Sequence, residues 1–172
     1  MQIISWQGRV FIDFEANITN RSIIVKGEGM RIAVIDGQGG GIGKSIVEKL
    51  RKDLPEDIEI IALGTNSLAT SFMIKAGANE GATGENAIVF NAGKVDIIMG
   101  TVGIIAANSM LGELTAIMAK AIAESPAKKI LLPLNRCNIE IVGVDKSEPM
   151  PHLIDKAVQT LKYYIERGNK NV

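Results

Sequence analysis

The chain has 172 residues, and its 19 Lys and Arg balance its 19 Asp and Glu, so it carries no formal net charge. That length fits one domain with a small appendage. Neutrality argues against nucleic acid as the main partner, because phosphate backbones call for a basic surplus or a concentrated basic face. With 47% apolar and 22% charged residues the chain is globular rather than disordered, and its single Cys137 excludes an internal disulfide.

Residues 1–29 hold Trp6, Phe11 and Phe14. They alternate like a strand around Val10 to Glu15, turn near Asn17 to Asn20, and become apolar at Ile23-Ile24-Val25. One expectation is a β meander of two or three strands. Another is a translated leader, with Met30 as the natural start. Lys26-Gly27-Glu28 is encoded by codons that can resemble a bacterial ribosome-binding site just upstream of Met30. Either way the second unit is 30–172.

From Met30 apolar runs alternate with helical spacing. Arg31 to Asp36 reads as a buried strand, and Ile42 to Lys52 as a helix with Ile42, Ile46, Val47 and Leu50 on one face. Ile58 to Leu63 is a second strand. Thr65 to Lys75 is a helix capped by Thr, Asn or Ser and closed by Gly77. Asn79 to Thr83 is a short strand, Glu85 to Ala92 a short helix, and Val95 to Met99 a strand. Gly103 to Glu124 is predicted as one long helix ended by Pro126. Lys129 to Leu134 and Ile139 to Val144 are predicted strands, and Pro151 to Arg167 is an amphipathic closing helix. Such alternation, with strands apolar throughout, predicts an α/β fold: a three-layer, Rossmann-like parallel sheet with helices on both faces.

The least charged stretch, Ile97 to Gly112, is too short and too often interrupted to span a bilayer. No basic n-region leads into an apolar core, so a signal peptide is not expected, and the sequons at Asn17 and Asn20 carry no meaning. The expectation is a cytoplasmic protein with no membrane partner, and homo-oligomerisation is compatible with the composition.

Asp36 to Ser45 reads DGQGGGIGKS, at a predicted strand-to-helix junction. Backbone amides there can approach a phosphate, and the helix start favours its negative charge. Gly37, Gly39, Gly40, Gly41 and Gly43 leave that approach open, with Gln38 and Ile42 between them. The bland alternative is a tight crossover needing positive φ at one or two glycines.

Two patterns compete for this loop. Gly37, Gly41 and Gly43 fit G-x-x-x-G-I-G, which resembles the cofactor loop of short-chain dehydrogenases. The likeness covers residues 31–50 only. That family's Tyr-x-x-x-Lys pair is absent, since Tyr163 and Tyr164 are followed four residues on by Arg167 and Gly168. The acid that follows the second strand to hold ribose hydroxyls is missing as well. Gly64-Thr65-Asn66-Ser67 stands there instead. The other pattern, Gly40-Gly41-Ile42-Gly43-Lys44-Ser45, resembles the phosphate loop of partitioning ATPases. Lys44 would then contact phosphates and Ser45 a magnesium ion. Against it, Gln38 and Gly39 occupy positions where that family carries a glycine and a lysine. The bland reading of Lys44 and Ser45 is a solvated first helical turn.

The other strand ends carry small or polar residues, among them Thr65, Asn66, Thr101, Asn135 and Arg136. Together with the glycine loop they outline one cleft, where Arg136 could pair a phosphate bidentately. Cys137 beside it is a nucleophile or an inert small hydrophobe. Glu85 and Glu113 are candidate acids or bases, or plain exposed carboxylates. His152 reads as a surface or capping residue. One His and one Cys without ligand spacing make zinc improbable.

The segment from Met30 to Tyr164 resembles an uncharacterised bacterial family known as a domain of unknown function. The strings IAVIDGQGGGIGKSIVEKLRK, ALGTNSLATSFMIKAGANEGATGENAI, DIIMGTVGIIAANSMLGELT and KKILLPLNRCN carry the likeness. It implies a small cytoplasmic protein and supports Met30 as the start. The expected function is binding of a phosphate-containing small molecule, a nucleotide or dinucleotide, over Gly37 to Gly43. Two further readings stay open. One is a phosphate-loop ATPase or kinase using Lys44 and Ser45. The other is a non-catalytic ligand sensor or assembly module.

Overall fold

The computed structural model describes residues 3–6, 9–12, 29–134, 139–145 and 147–169. β1 (Ile3–Trp6) and β2 (Arg9–Ile12) pair antiparallel, with Ile3 opposite Ile12. The apolar Ile23 to Val25 lies outside the described residues.

The main sheet has five parallel strands: β3 (Arg31–Asp36), β4 (Glu59–Gly64), β5 (Glu80–Thr83), β6 (Ile97–Thr101) and β7 (Lys128–Leu132). Their order is β5-β4-β3-β6-β7. The chain builds outward from β3 to one edge, then returns to the other side of β3 through β6. The order therefore reverses between β3 and β6. This is the topological switch point, the place where open α/β sheets of this kind bind their ligands.

Side chains alternate across the central strands, and both faces are buried. Ile32 and Val34 of β3, Ile60 and Ala62 of β4, and Ile97 and Met99 of β6 enter one core. Ala33 and Ile35, Ile61 and Leu63, and Ile98 enter the other. A strand covered on both faces has no position for a charge, which is why these segments read as unbroken apolar runs. α1 (Gly41–Asp53), α2 (Ser67–Lys75) and α5 (Met150–Asn169) cover the first face through residues such as Leu50, Met73 and Leu161. α3 (Glu85–Ala92) and α4 (Ala116–Glu124) cover the second through Ile88, Met118 and Ile122. The three-layer, doubly wound α/β fold is therefore the expected one.

Two expected elements are corrected. Gly103 to Glu124 is not one helix. Only Ala116–Glu124 is α-helical, capped by the Thr115 hydroxyl, which accepts from Met118 N–H. Before it lie 3₁₀ turns at Val102–Ile105 and Met110–Gly112. Asn108, Met110, Leu111 and Gly112 take φ of +62°, +56°, +59° and +89°, which no right-handed helix can contain. Nor is Ile139 to Val144 a strand. Gly143 turns at φ +87°, Val142 is 95% exposed, and the segment joins no ladder. Among the described residues no helix is long and apolar enough to cross a membrane.

Candidate functional site

The glycine loop joins β3 to α1 at the switch point. Its glycines separate into two kinds. Gly37, Gly40 and Gly43 are required by the fold. A Cβ at Gly37 would stand 2.3 Å from Thr65 Oγ1 and 2.7 Å from Met110 Sδ. At Gly43 it would meet Met73 Sδ at 2.6 Å and Asp36 Cβ at 2.7 Å. Gly40 has φ +65°, and its Cβ would press on the Ala69 Cα at 2.6 Å. Gly39 and Gly41 have ordinary φ, and among the described residues a Cβ on either would meet nothing within 4 Å. Both are exposed. Their N–H groups have no hydrogen-bond partner among the described residues, whereas Gly37, Gln38, Gly40 and Gly43 N–H are all taken.

Asp36 ends β3 beneath the loop and is buried. Gly37 N–H donates to its Oδ1 at 2.8 Å and Gly43 N–H to its Oδ2 at 2.6 Å. The carboxylate thus caps α1, because Gly40 at the N-cap position brings no side chain of its own. Burial pushes its pKa above the usual carboxylate range. The amides of Gly43, Gly37 and Ile42 pull it back down, and the charge of Glu113 adds to the rise. The sequence reading missed Asp36. The signal was there: an acid placed between an apolar strand and the first glycine.

Glu113 is the second residue whose role emerges only in the fold. It is half-buried and reaches across the crest from the loop after β6. Three donors converge on its Oε2: Thr65 Oγ1 at 2.6 Å, Gln38 N–H at 2.8 Å and Asn66 Nδ2 at 2.8 Å. Those bonds, led by Thr65 and the Gln38 amide, hold its pKa below the ordinary 4.5 against the opposing effect of desolvation. Glu113 is therefore neither part of a helix nor a plain exposed carboxylate. Its loop is braced by Ser109 Oγ, which donates to Gly103 O at 2.6 Å, and by Asn108 N–H, which donates to Leu114 O at 2.8 Å. Three non-glycine residues with φ above zero within four positions, Asn108, Met110 and Leu111, store strain there, at about 1–2 kcal/mol per residue. Strain of this kind concentrates at functional sites.

The remaining expected site residues fall as follows. Asn66 is fully committed: its Oδ1 accepts from Ala69 N–H to cap α2, and its Nδ2 donates to Gln38 O and Glu113. Thr65 donates to Glu113. Both are brought to the loop, where they meet Glu113. Thr101 is buried at 6% exposure. Ile42 is half-buried against the first core. Lys44 turns along α1 to Glu48 at 3.4 Å, and Ser45 Oγ donates to Gly41 O at 3.0 Å. Asn135, Arg136 and Cys137 lie outside the described residues. Glu85 accepts from the Thr115 hydroxyl, and His152 is exposed at the start of α5. Among the described residues no group of three or more His, Cys, Asp or Glu is placed to hold a metal ion.

Two recesses lie away from this crest. One, of about 430 Å³, follows the seam of α1 and α5 from Ser45, the one expected site residue in its lining, past Lys49, Lys52 and Met150. Lys49 is already paired there with Asp155 at 2.8 Å. The other, of about 400 Å³, lies between β7 and α5. Neither offers unpaired backbone amides at a switch point.

Fold and crest together define a doubly wound α/β protein with a glycine loop at its switch point. The chain belongs to the family described as a domain of unknown function (DUF3842), whose match spans residues 31–166. No curated protein matches it. Among solved structures, a universal stress protein in complex with cAMP is 17% identical with a TM-score of 0.38, covering 62% of this chain and 98% of that one. A dodecameric FMN-dependent Ubix-like decarboxylase from Escherichia coli O157:H7 is 14% identical with a TM-score of 0.37, covering 77% of each chain. Likenesses this weak carry no argument about ligands or assembly.

Proposed function

We propose that the protein binds a nucleotide or dinucleotide, with a phosphate seated on the Gly39 and Gly41 amides at the start of α1. One observation carries this reading. Among the described residues, Gly39 and Gly41 are the loop glycines that neither packing nor backbone conformation requires, and their N–H groups have no partner. The Asp36 carboxylate takes the inner amides of the helix start, so an incoming anion is offered the outer rim of the loop rather than the helix axis. With no surplus of positive charge on the chain, attraction comes from local amides.

The test is a thermal-shift panel of adenine and flavin nucleotides. A ligand present at about a hundred times its Kd adds roughly 2.7 kcal/mol, so at least one member should raise the melting temperature measurably. Gly41→Asp should fold, because the position is open, and should lose the shift through steric and charge conflict. A panel in which nothing stabilises the protein overturns the proposal. Nucleotide returned unchanged after long incubation supports a sensor or assembly module, and turnover marks an enzyme. The phosphate-loop ATPase is the weaker reading, since Lys44 and Ser45 are engaged along α1. It would require Mg²⁺-dependent hydrolysis that Lys44→Ala abolishes.

A further inference from the structure

Glu113 presents a charged acceptor where the sequence placed a neutral one. The tip of the strand beside the glycine strand, here β4, is where α/β dinucleotide sites hold the ribose, through an acid supplied by that strand's own loop. In this chain the loop is Gly64-Thr65-Asn66-Ser67, without an acid. The acid arrives from elsewhere. Glu113, 48 residues beyond Thr65 and 75 beyond Gln38, lies against both.

We propose that Glu113 is the ribose-binding residue of this site, and that the ligand is a nucleotide with a free 2′-hydroxyl. The inference rests on the nucleotide reading above. Three features argue for it. All three donors go to Oε2, and among the described residues nothing donates to Oε1, so one oxygen is fixed and the other is left with its acceptor capacity unused there. A fixed anion with an unused acceptor suits a hydroxyl donor and repels a phosphate. Finally, Gln38 N–H holds Glu113 while the next amide along the chain, Gly39 N–H, is unpaired. One short loop thus offers an acceptor for a sugar hydroxyl beside a donor for a phosphate, which is the pairing a ribonucleotide needs. The depressed pKa keeps the carboxylate ionised at neutral pH.

The closing experiment measures Kd by calorimetry for two ligand pairs, ADP against 2′-deoxy-ADP and NAD against NADP. Wild-type protein should prefer the free 2′-hydroxyl in each pair by roughly tenfold or more, the scale of one charge-assisted hydrogen bond. Glu113→Gln should lose that preference and Glu113→Asp should keep part of it, with melting curves of the unliganded variants checking that they fold. If Glu113→Gln does not fold, Glu113→Asp carries the comparison, and a preference there unchanged from wild type overturns the assignment. Equal affinity within each pair overturns this assignment while leaving nucleotide binding standing. Tighter ADP binding by Glu113→Gln also overturns it, because the carboxylate would then be a plug that the ligand displaces. Failure of both ADP and NAD to bind the wild type overturns it together with the nucleotide reading.

Discussion

Gly40→Ala is expected to lower stability by about 2–5 kcal/mol, while Gly39→Ala and Gly41→Ala leave it almost unchanged. A left-handed conformation costs a residue with a Cβ about 1–2 kcal/mol. The added methyl would also stand 2.6 Å from the Ala69 Cα, in backbone that cannot swing aside. Overpacking of this kind adds about 1–3 kcal/mol. For a domain of this size the loss corresponds to a melting temperature lower by roughly 4–20 °C. At Gly39 and Gly41 neither penalty applies, since φ is ordinary and the space is open. Urea unfolding of the three variants checks the contrast. Equal losses at all three positions would mean that the loop is held differently from the geometry above, and the argument that two glycines are spare would fall with it.

Asp36→Ala should cost a similar amount, about 2–4 kcal/mol, for a different reason. The substitution strips the cap from α1 and takes away the buried acceptor of the Gly37 and Gly43 N–H groups. Loss of the cap at Gly43 accounts for about 1 kcal/mol, and the buried Gly37 donor left unpaired for about 1–3 kcal/mol. Asp36→Asn does not restore the interaction, because its amide nitrogen must face one of those two donors. Hydrogen exchange at the Gly43 amide should accelerate in both variants relative to the core strands. A loss below about 0.5 kcal/mol would contradict the capping role.

Much of the architecture was legible because double-sided burial writes itself plainly. Ile32 to Ile35 and Ile60 to Leu63 must be apolar at every position to enter two cores, and the amphipathic α1 and α5 mark the covering layers. The glycine loop was legible for the same reason of local necessity, although the split between required and spare glycines depends on Ala69, Met73 and Met110, which only the fold brings near. The Gly103 to Glu124 region was misread because Ile104, Leu114, Met118 and Ile122 are all buried in the second core, whether the chain between them is helical or not. The left-handed values at Met110 and Leu111 leave no mark in residue type, although Asn108 and Gly112 are of the kinds that adopt them readily. Glu113 was visible as a charge in an apolar stretch, but its partners lie 47 to 75 residues away, beyond any local pattern. Ile139 to Val144 has strand-like composition. With Gly143 in a left-handed turn, composition alone misled.

The central claim is that the unpaired amides of Gly39 and Gly41 receive a nucleotide phosphate. An amide-resolved ¹H–¹⁵N NMR titration with ADP tests it most directly. Hydrogen bonding to phosphate should shift the Gly39 and Gly41 signals more than any others, with smaller changes at Gln38 and Glu113 and little along the α1–α5 seam at Lys49 and Lys52. Saturation with ADP that leaves both glycine amides in place, or that moves the seam instead, would contradict it.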